Sequence, residues 1–467
     1  MDPVKDLLGL TADYAAQFLG SLDERPVGAS ATVEELRAAL GGPLPQHGLD
    51  QTQVVAELIE AAGPGIIAIP SGRFFGFVIG GALPAALAAD WLTSTWDQNS
   101  AQIRPTPSAG VVEEVALAWL RELLQLPAGV SAGFVTGCQM AHVTALAAAR
   151  HRILERVGWD LARDGLQGAP RIRVIVGEER HVTVDRALRH LGIGSAQIQS
   201  VPADGQGRMR VELLRDALEG GAGPTIVCAQ VGNVNTGSCD DVTTIADAVE
   251  GTDAWLHVDG AFGLWAAASP RLRQLVAGIE RADSWATDAH KWLNVPYDSG
   301  IAFCADPEAH RAAMSVRASY LEQADTDAAR DQMDWVPEFS RRARGFPIYA
   351  AIRALGSEGI TAMVERCCGH ATRFAELLGA EPGVEILNEV VLNQVLVRFG
   401  DDDALTEATV KGVQEDGTCW LSGTVWRGKA AMRISVSNWQ TSDDDVERSA
   451  GAILEAAARG VGTVRAT

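Results

Sequence analysis

The chain has 467 residues, 47% hydrophobic and 21% charged, and 39 basic against 60 acidic residues leave a net charge of -21. So apolar a composition excludes a disordered chain, and at about 150 residues per domain the length fits two or three domains. So acidic a balance excludes nucleic acid and anionic membrane as expected partners, since both are gripped by a positive face; a small anionic ligand needs only local donors. The seven cysteines are dispersed with no CxxC pair, the pattern of free thiols in a reducing cytoplasm. The N-terminal stretch opens with acid and lacks the apolar run of a signal peptide. The uncharged stretches Phe74–Ala89 and Leu123–Ala149 are broken by Gly, Pro or polar residues, so no spanning helix is expected and the chain reads as soluble and cytoplasmic.

In chain order, the first 70 or so residues carry helical patterns. TADYAAQFLGSL and TVEELRAALGG both run into Gly, and the second starts on Thr32 with Glu35 three residues on, a capping-box signal. Residues 70–107 are an irregular Gly/Pro-rich piece that reads as loop and helix beside a site, and VVEEVALAWLRELL is a clear helix ending near Leu124. Between residues 133 and 306 the texture changes to seven short β-rich runs: GFVTG, RIRVIVGE, AQIQSVP, TIVCAQVG, AWLHVDGA, SWATDAH and GIAFCAD. Ala/Leu-rich helices such as AHVTALAAARHRILERV separate several of them. That alternation predicts a mostly parallel sheet covered by helices on both faces, with any chemistry just beyond the carboxyl ends of its strands. Residues 317–337 read as an Asp/Ala-rich loop and Phe346–Leu378 as helix. The chain closes on a small α+β unit with strands NQVLVRF and AAMRISVSN and a final helix TSDDDVERSAGAILEAAAR. The expected division is an N-terminal helical segment (1–107), a large α/β domain (108–345) and a small C-terminal domain (346–467).

Neither GxGxxG nor a P-loop is present, and without HExxH or clustered Cys/His no metal site is expected. The polar residues that stand out lie at successive strand ends: Thr136-Gly137-Cys138-Gln139, His181, Thr236, Asp259 and His290-Lys291. Burying a lysine as a cation is costly, so the amine of Lys291 is expected to have a lowered pKa, and a neutral amine in a cleft is what an imine-forming enzyme needs. Asp259 ends an apolar strand, where a carboxylate would suit a cationic ring nitrogen. Taken singly, a loop lysine is an ordinary surface residue and an aspartate there an ordinary helix cap.

Taken together, these residues resemble the group II pyridoxal-phosphate-dependent amino-acid decarboxylases, the family of the aromatic-amino-acid and glutamate decarboxylases, over nearly the whole chain from about Pro70 to Thr441. DAHKW matches the family's cofactor lysine between His and Trp, and HVDGA its H-V-D-A-A, with Asp259 as the pyridinium partner and Ala261 packed on the ring. His181, in ERHVTVDRALRHLGIG, matches the histidine stacked on the other ring face, and VTGCQMAHVTALAAAR the stretch that holds the phosphate. The resemblance implies an α/β fold of the aspartate aminotransferase-like class (fold type I) with a seven-stranded sheet, a small C-terminal domain and an obligate homodimer on which the N-terminal segment packs. The implied cofactor is pyridoxal 5'-phosphate, held by Lys291, Asp259, Ala261, His181, His290, Gly137, Cys138, Gln139, Thr236 and Asp288.

The implied reaction is decarboxylation of an amino acid to its amine. Tyr320, in ASYLEQ and 29 residues beyond Lys291, matches the loop tyrosine that returns a proton to Cα; relatives with Phe there form an aldehyde instead. Catalysis is thus expected from Lys291, Tyr320 and His181. Phe74, Phe75 and Phe77, with Trp96 beyond, supply rings that favour an aromatic substrate. An aminotransferase or a carbon–carbon lyase with the same cofactor is the alternative, and a non-catalytic homologue a weaker one. Departures from the family pattern are Gly260 for Ala, Phe262 for Tyr or Trp, and Cys138-Gln139-Met140 for Gly-Thr/Ser-Glu. His142, where Asn or Thr is common, reads as helix surface, and Arg433 as structural.

Overall fold

The computed structural model describes residues 2–316 and 330–464. The chain divides into two compact units, one of Met1–Gly81, Arg373–Leu387 and Leu396–Thr467, the other of Ala82–Thr372 and Asn388–Val395. The first unit begins with three helices, α1 (Pro3–Gly20), α2 (Val33–Leu40) and α3 (Gln51–Ala62). α2 starts on the expected capping box: Glu35 N–H donates to Thr32 Oγ1 at 3.2 Å while Thr32 N–H donates to the Glu35 carboxylate at 2.7 Å.

The second unit opens with α4 (Pro84–Trp96) and α5 (Pro107–Leu123) and is built on a sheet of seven strands. These are β1 (Ser131–Val135), β2 (Arg173–Gly177), β3 (Ile198–Val201), β4 (Thr225–Gln230), β5 (Trp255–Asp259), β6 (Ser284–Asp288) and β7 (Gly300–Cys304), in the order β1-β7-β6-β5-β4-β2-β3. Six fall inside runs expected from sequence, and β1 begins two residues before its run GFVTG. Strands β1, β5, β6 and β7 are buried along their whole length, which explains their near-continuous apolar character: with helices on both faces, neither face needs polar residues. The helices are α6 (Cys138–Arg156), α7 (Leu161–Asp164), α8 (Val182–His190), α9 (Val211–Glu219), α10 (Val242–Val249) and α11 (Pro307–Met314). They are followed by α12 (Gly345–Gly379), interrupted at Gly356, whose φ of +63° is open to glycine at no steric cost.

Five strands, β3-β2-β4-β5-β6, are parallel, whereas β7 is antiparallel to both β6 and β1. Two reversals restore direction, so β1 runs the same way as β5 and β6. The carboxyl ends of β1, β5 and β6 therefore share one edge of the sheet, where such folds bind ligands.

The rest of the first unit holds a four-stranded sheet of β8 (Val384–Ile386), β9 (Gln394–Phe399), β10 (Ser422–Trp426) and β11 (Lys429–Ser435), in the order β10-β11-β9-β8. Two helices, α13 (Asp403–Asp416) and α14 (Asp443–Val464), pack against each other, and α13 also lies on β11. Among the described residues no helix is long and apolar enough to cross a membrane.

Candidate functional site

Three chain segments meet at the shared edge. β1 leads through Thr136 and Gly137 into α6, β5 ends on Asp259, and β6 ends on Asp288, three residues before Lys291. The Lys291 ammonium lies 3.0 Å from Asp288 Oδ2, while Asp288 Oδ1 accepts the Cys138 N–H at 2.5 Å. Asp288 thus sits at the N-terminus of α6, where unpaired N–H groups and the helix dipole favour an anion. His290 Nε2 is 3.4 Å from the same Oδ1. The Ser299 N–H donates to His290 Nδ1 at 3.0 Å, so the ring carries its proton on Nε2, facing that carboxylate. Tyr297 stacks on the imidazole at 4.2 Å.

The electrostatics separate the two carboxylates. Burial works against the charge of Asp259, but His142, then His181 and Lys291, outweigh it and hold the carboxyl far below the usual carboxylate range. Asp259 Oδ1 also accepts the Ala261 N–H at 3.2 Å. The expectation for Lys291 is corrected: burial does push its pKa down, yet the Asp288 carboxylate, with Asp259 behind it, raises the amine above the ordinary lysine range. An ion pair at 3.0 Å outweighs the cost of burying the cation. The Cys138 thiol, driven well above its ordinary range by burial and then by both aspartates, is neutral.

The reading of His142 is corrected as well. It is fully buried, not on the surface of α6, with Nε2 3.6 Å from Asp259 Oδ2 and 3.4 Å from Cys138 Sγ. Cys138, His142 and Asp259 together have metal-ligand spacing, their ligand atoms lying within 4.8 Å of one another. Behind them stands His257, which the sequence analysis passed over, with Nε2 2.9 Å from His142 Nδ1. Both were open to detection by periodicity: Cys138 and His142 are i, i+4 on a helix, and His257 and Asp259 are i, i+2 on a strand.

A polar, anionic group fits the first turn of α6. Both amide atoms of Gln139, on the first turn of α6, are buried with no hydrogen-bond partner among the described residues, so they await a polar ligand. Gly137 keeps the approach open: a Cβ there would stand 3.1 Å from His290 Cε1 and 3.4 Å from Asp288 Oδ1. Ala261 packs with Val135, Cys138 and Ala286. His181 caps α8, its Nδ1 2.7 Å from Thr183 Oγ1.

The other expected residues are placed differently. Thr236 is buried with its hydroxyl 2.7 Å from the Gln206 carbonyl and 2.9 Å from Ser238 Oγ, bonded within its own loop region. In the first unit Phe74 stacks on Trp420 at 5.2 Å, Phe75 meets Phe374 edge-on at 5.0 Å, and the more exposed Phe77 lies 5.8 Å from Trp420. Trp96, in the second unit, is half exposed against Phe346. Arg433 lies buried on β11, and Tyr320 lies outside the described residues.

Residues 34–399 match the family model described as the pyridoxal-dependent decarboxylase conserved domain. Tryptophan decarboxylase 1 of Oryza sativa subsp. japonica is 26% identical over 94% of this chain and 90% of its own length. 4-Hydroxyphenylacetaldehyde synthase of Rhodiola rosea is 26% identical over 89% and 86%. The crystal structure of Oryza sativa TDC with PLP and tryptamine superposes with a TM-score of 0.92 at 24% identity, covering 98% of both chains.

Proposed function

Since this chain belongs to the pyridoxal-dependent decarboxylase family, whose cofactor is pyridoxal phosphate, we propose that it removes the α-carboxylate of an L-amino acid, an aromatic one by preference, releasing carbon dioxide and the amine. The observation that carries this reading is the meeting of Lys291, Asp288 and the ionised Asp259 at one edge of the sheet. When bound, the cofactor supplies an electron sink for the pair left on Cα. Lys291 Nζ anchors it, and Asp259 holds a proton at the ring nitrogen. Ala261 and His181 would hold the ring. The α6 N–H groups, Gln139 and His290 would hold the phosphate, with Gly137 and Cys138 beside them. Tyr320 returns a proton to Cα.

The aromatic preference draws on the relative named tryptophan decarboxylase. A second reading, aldehyde formation, draws on the relative named 4-hydroxyphenylacetaldehyde synthase; Tyr320 favours the amine. A homodimer accounts for α1, α2 and α3, which bury no residue within the chain and leave Val4, Leu8, Val33, Leu40 and Leu58 exposed. Seven free thiols accord with a cytoplasmic setting.

The test is to supply pyridoxal phosphate and each of the twenty L-amino acids in turn, and to measure carbon dioxide, amine, aldehyde and peroxide. Amine with equimolar carbon dioxide and no aldehyde is expected, with aromatic substrates fastest, and Tyr320→Phe should move product toward aldehyde. Amino transfer to a keto acid, or failure to bind the cofactor at residue 291, would overturn the reading.

A further inference from the structure

Behind Asp259 runs a chain of buried polar groups that leaves the cofactor site. Asp259 Oδ2 faces His142 Nε2 at 3.6 Å, His142 Nδ1 faces His257 Nε2 at 2.9 Å, and His257 Nδ1 faces Ser284 Oγ at 2.8 Å. Ser284 Oγ in turn accepts the indole N–H of Trp255 at 2.8 Å. His142, His257, Ser284 and Trp255 are fully buried, and Asp259 nearly so, so every proton in the chain must find a partner inside it.

The two ends set its direction. An indole N–H can only donate, and an ionised carboxylate can only accept. Ser284 Oγ accepts from Trp255 and still has its own proton to give to His257 Nδ1, 2.8 Å away. His257 then carries its proton on Nε2 and gives it to His142 Nδ1. His142 in turn carries its proton on Nε2, aimed between Asp259 Oδ2 and Cys138 Sγ. Reversing the neutral chain would turn a lone pair of His142 onto a buried carboxylate.

We infer that His142, oriented through His257, Ser284 and Trp255, is a positioning residue that keeps the Asp259 carboxylate ionised and aimed, and through it the proton on the cofactor's ring nitrogen. His142 is the largest favourable influence on the depressed pKa of Asp259, and burial drives His257 down to about 3, so that it stays a neutral link.

The inference rests on the proposed cofactor reading, but one half of its test does not. In wild-type protein labelled with 15N-histidine, the ring nitrogens of His142 and His257 should both report the Nε2–H tautomer. An Nδ1–H tautomer at either would overturn the inference, whether or not the protein binds a cofactor. The second half uses pyridoxal phosphate labelled with 15N at the ring. Wild type should show a protonated ring nitrogen. His142→Leu should lose that signature and hold the cofactor roughly ten- to a hundredfold more weakly, the usual effect of removing an outer hydrogen-bond partner. His142→Asn, which keeps an N–H donor of smaller size, should restore part of both. kcat should fall in His142→Leu with KM little changed. A folded His142→Leu with the wild-type nitrogen shift and affinity would reduce His142 to packing. If His142→Leu does not fold, His257→Gln cuts the same chain one link further out and should shift the signal the same way; an unchanged signal there overturns the inference. Failure of wild type to take up pyridoxal phosphate would instead overturn the proposed function and leave the tautomer result standing.

Discussion

Asp259 and Asp288 are both buried aspartates at strand ends, and their neighbours give them opposite tasks. Asp259 is surrounded by imidazoles and held ionised. Asp288 occupies the α6 N-terminus and pairs with the Lys291 ammonium. In that state the amine is protonated and cannot attack an aldehyde, and the carboxylate stands where a phosphate would otherwise collect N–H groups. Asp288→Asn keeps an acceptor for the Cys138 N–H but removes the charge. The pH midpoint for cofactor uptake by the apoprotein should therefore move to lower pH, with about tenfold more free amine for each unit it moves. Stopped-flow absorbance after mixing with pyridoxal phosphate checks this; an unmoved midpoint would show that Asp288 does not control Lys291.

Among the elements, the contact between β7 and the start of α6 is the tightest constraint on the site. A Cβ on Gly300, the first residue of β7, would lie 2.4 Å from Gly137 Cα, and backbone cannot swing aside as a side chain can. Gly300→Ala must push the α6 N-terminus away from β6, and so from Asp288 and His290. Overpacking of this kind costs about 1–3 kcal/mol. Urea unfolding should show that loss, and cofactor titration should show weaker binding. The contrasting site is Gly9 in α1, where a Cβ meets nothing within 4 Å. There Gly→Ala should stabilise by about 0.5–1 kcal/mol with binding untouched. Equal effects at the two positions would contradict the account of the contact.

For the molecule as a whole, buried histidines set the acid limit of stability. His257 and His310 are both pushed by burial from an ordinary 6.5 down to about 3, and His310 is held neutral between Ser131 Oγ and the Trp335 carbonyl, each 2.9 Å away. Below pH 6.5 the unfolded chain binds protons at these sites while the folded chain does not. Stability therefore falls by about 1.4 kcal/mol per pH unit for each. Asp240, raised by burial to about 6, works in the opposite sense, since the folded chain takes its proton first. At pH 5 the two imidazoles have cost roughly 4 kcal/mol and Asp240 has returned roughly 1 kcal/mol, so the histidines win. Calorimetry should show Tm falling steadily from pH 7 to pH 5; a rise over that interval would mean that the buried imidazoles are not neutral.

The seven strands, the capping box of α2, and the positions of Asp259 and Lys291 were legible in the sequence because each is a local pattern. A strand covered on both faces must be apolar throughout, and a polar residue at its end therefore stands out. DAHKW and HVDGA are short enough to be read without knowing what lies beside them. What lies beside them was decided only in three dimensions. His142 looked like helix surface because α6 carries a mixture of small apolar and polar residues, and only the packing of that helix over β5 and β6 turns it toward His257. The pKa of Lys291 rises because β6 ends three residues earlier on Asp288, close enough in space for charge pairing to outweigh burial. Periodicity along a chain reports which face is buried, whereas the sign of a charge shift depends on distances between elements, and the fold alone sets those.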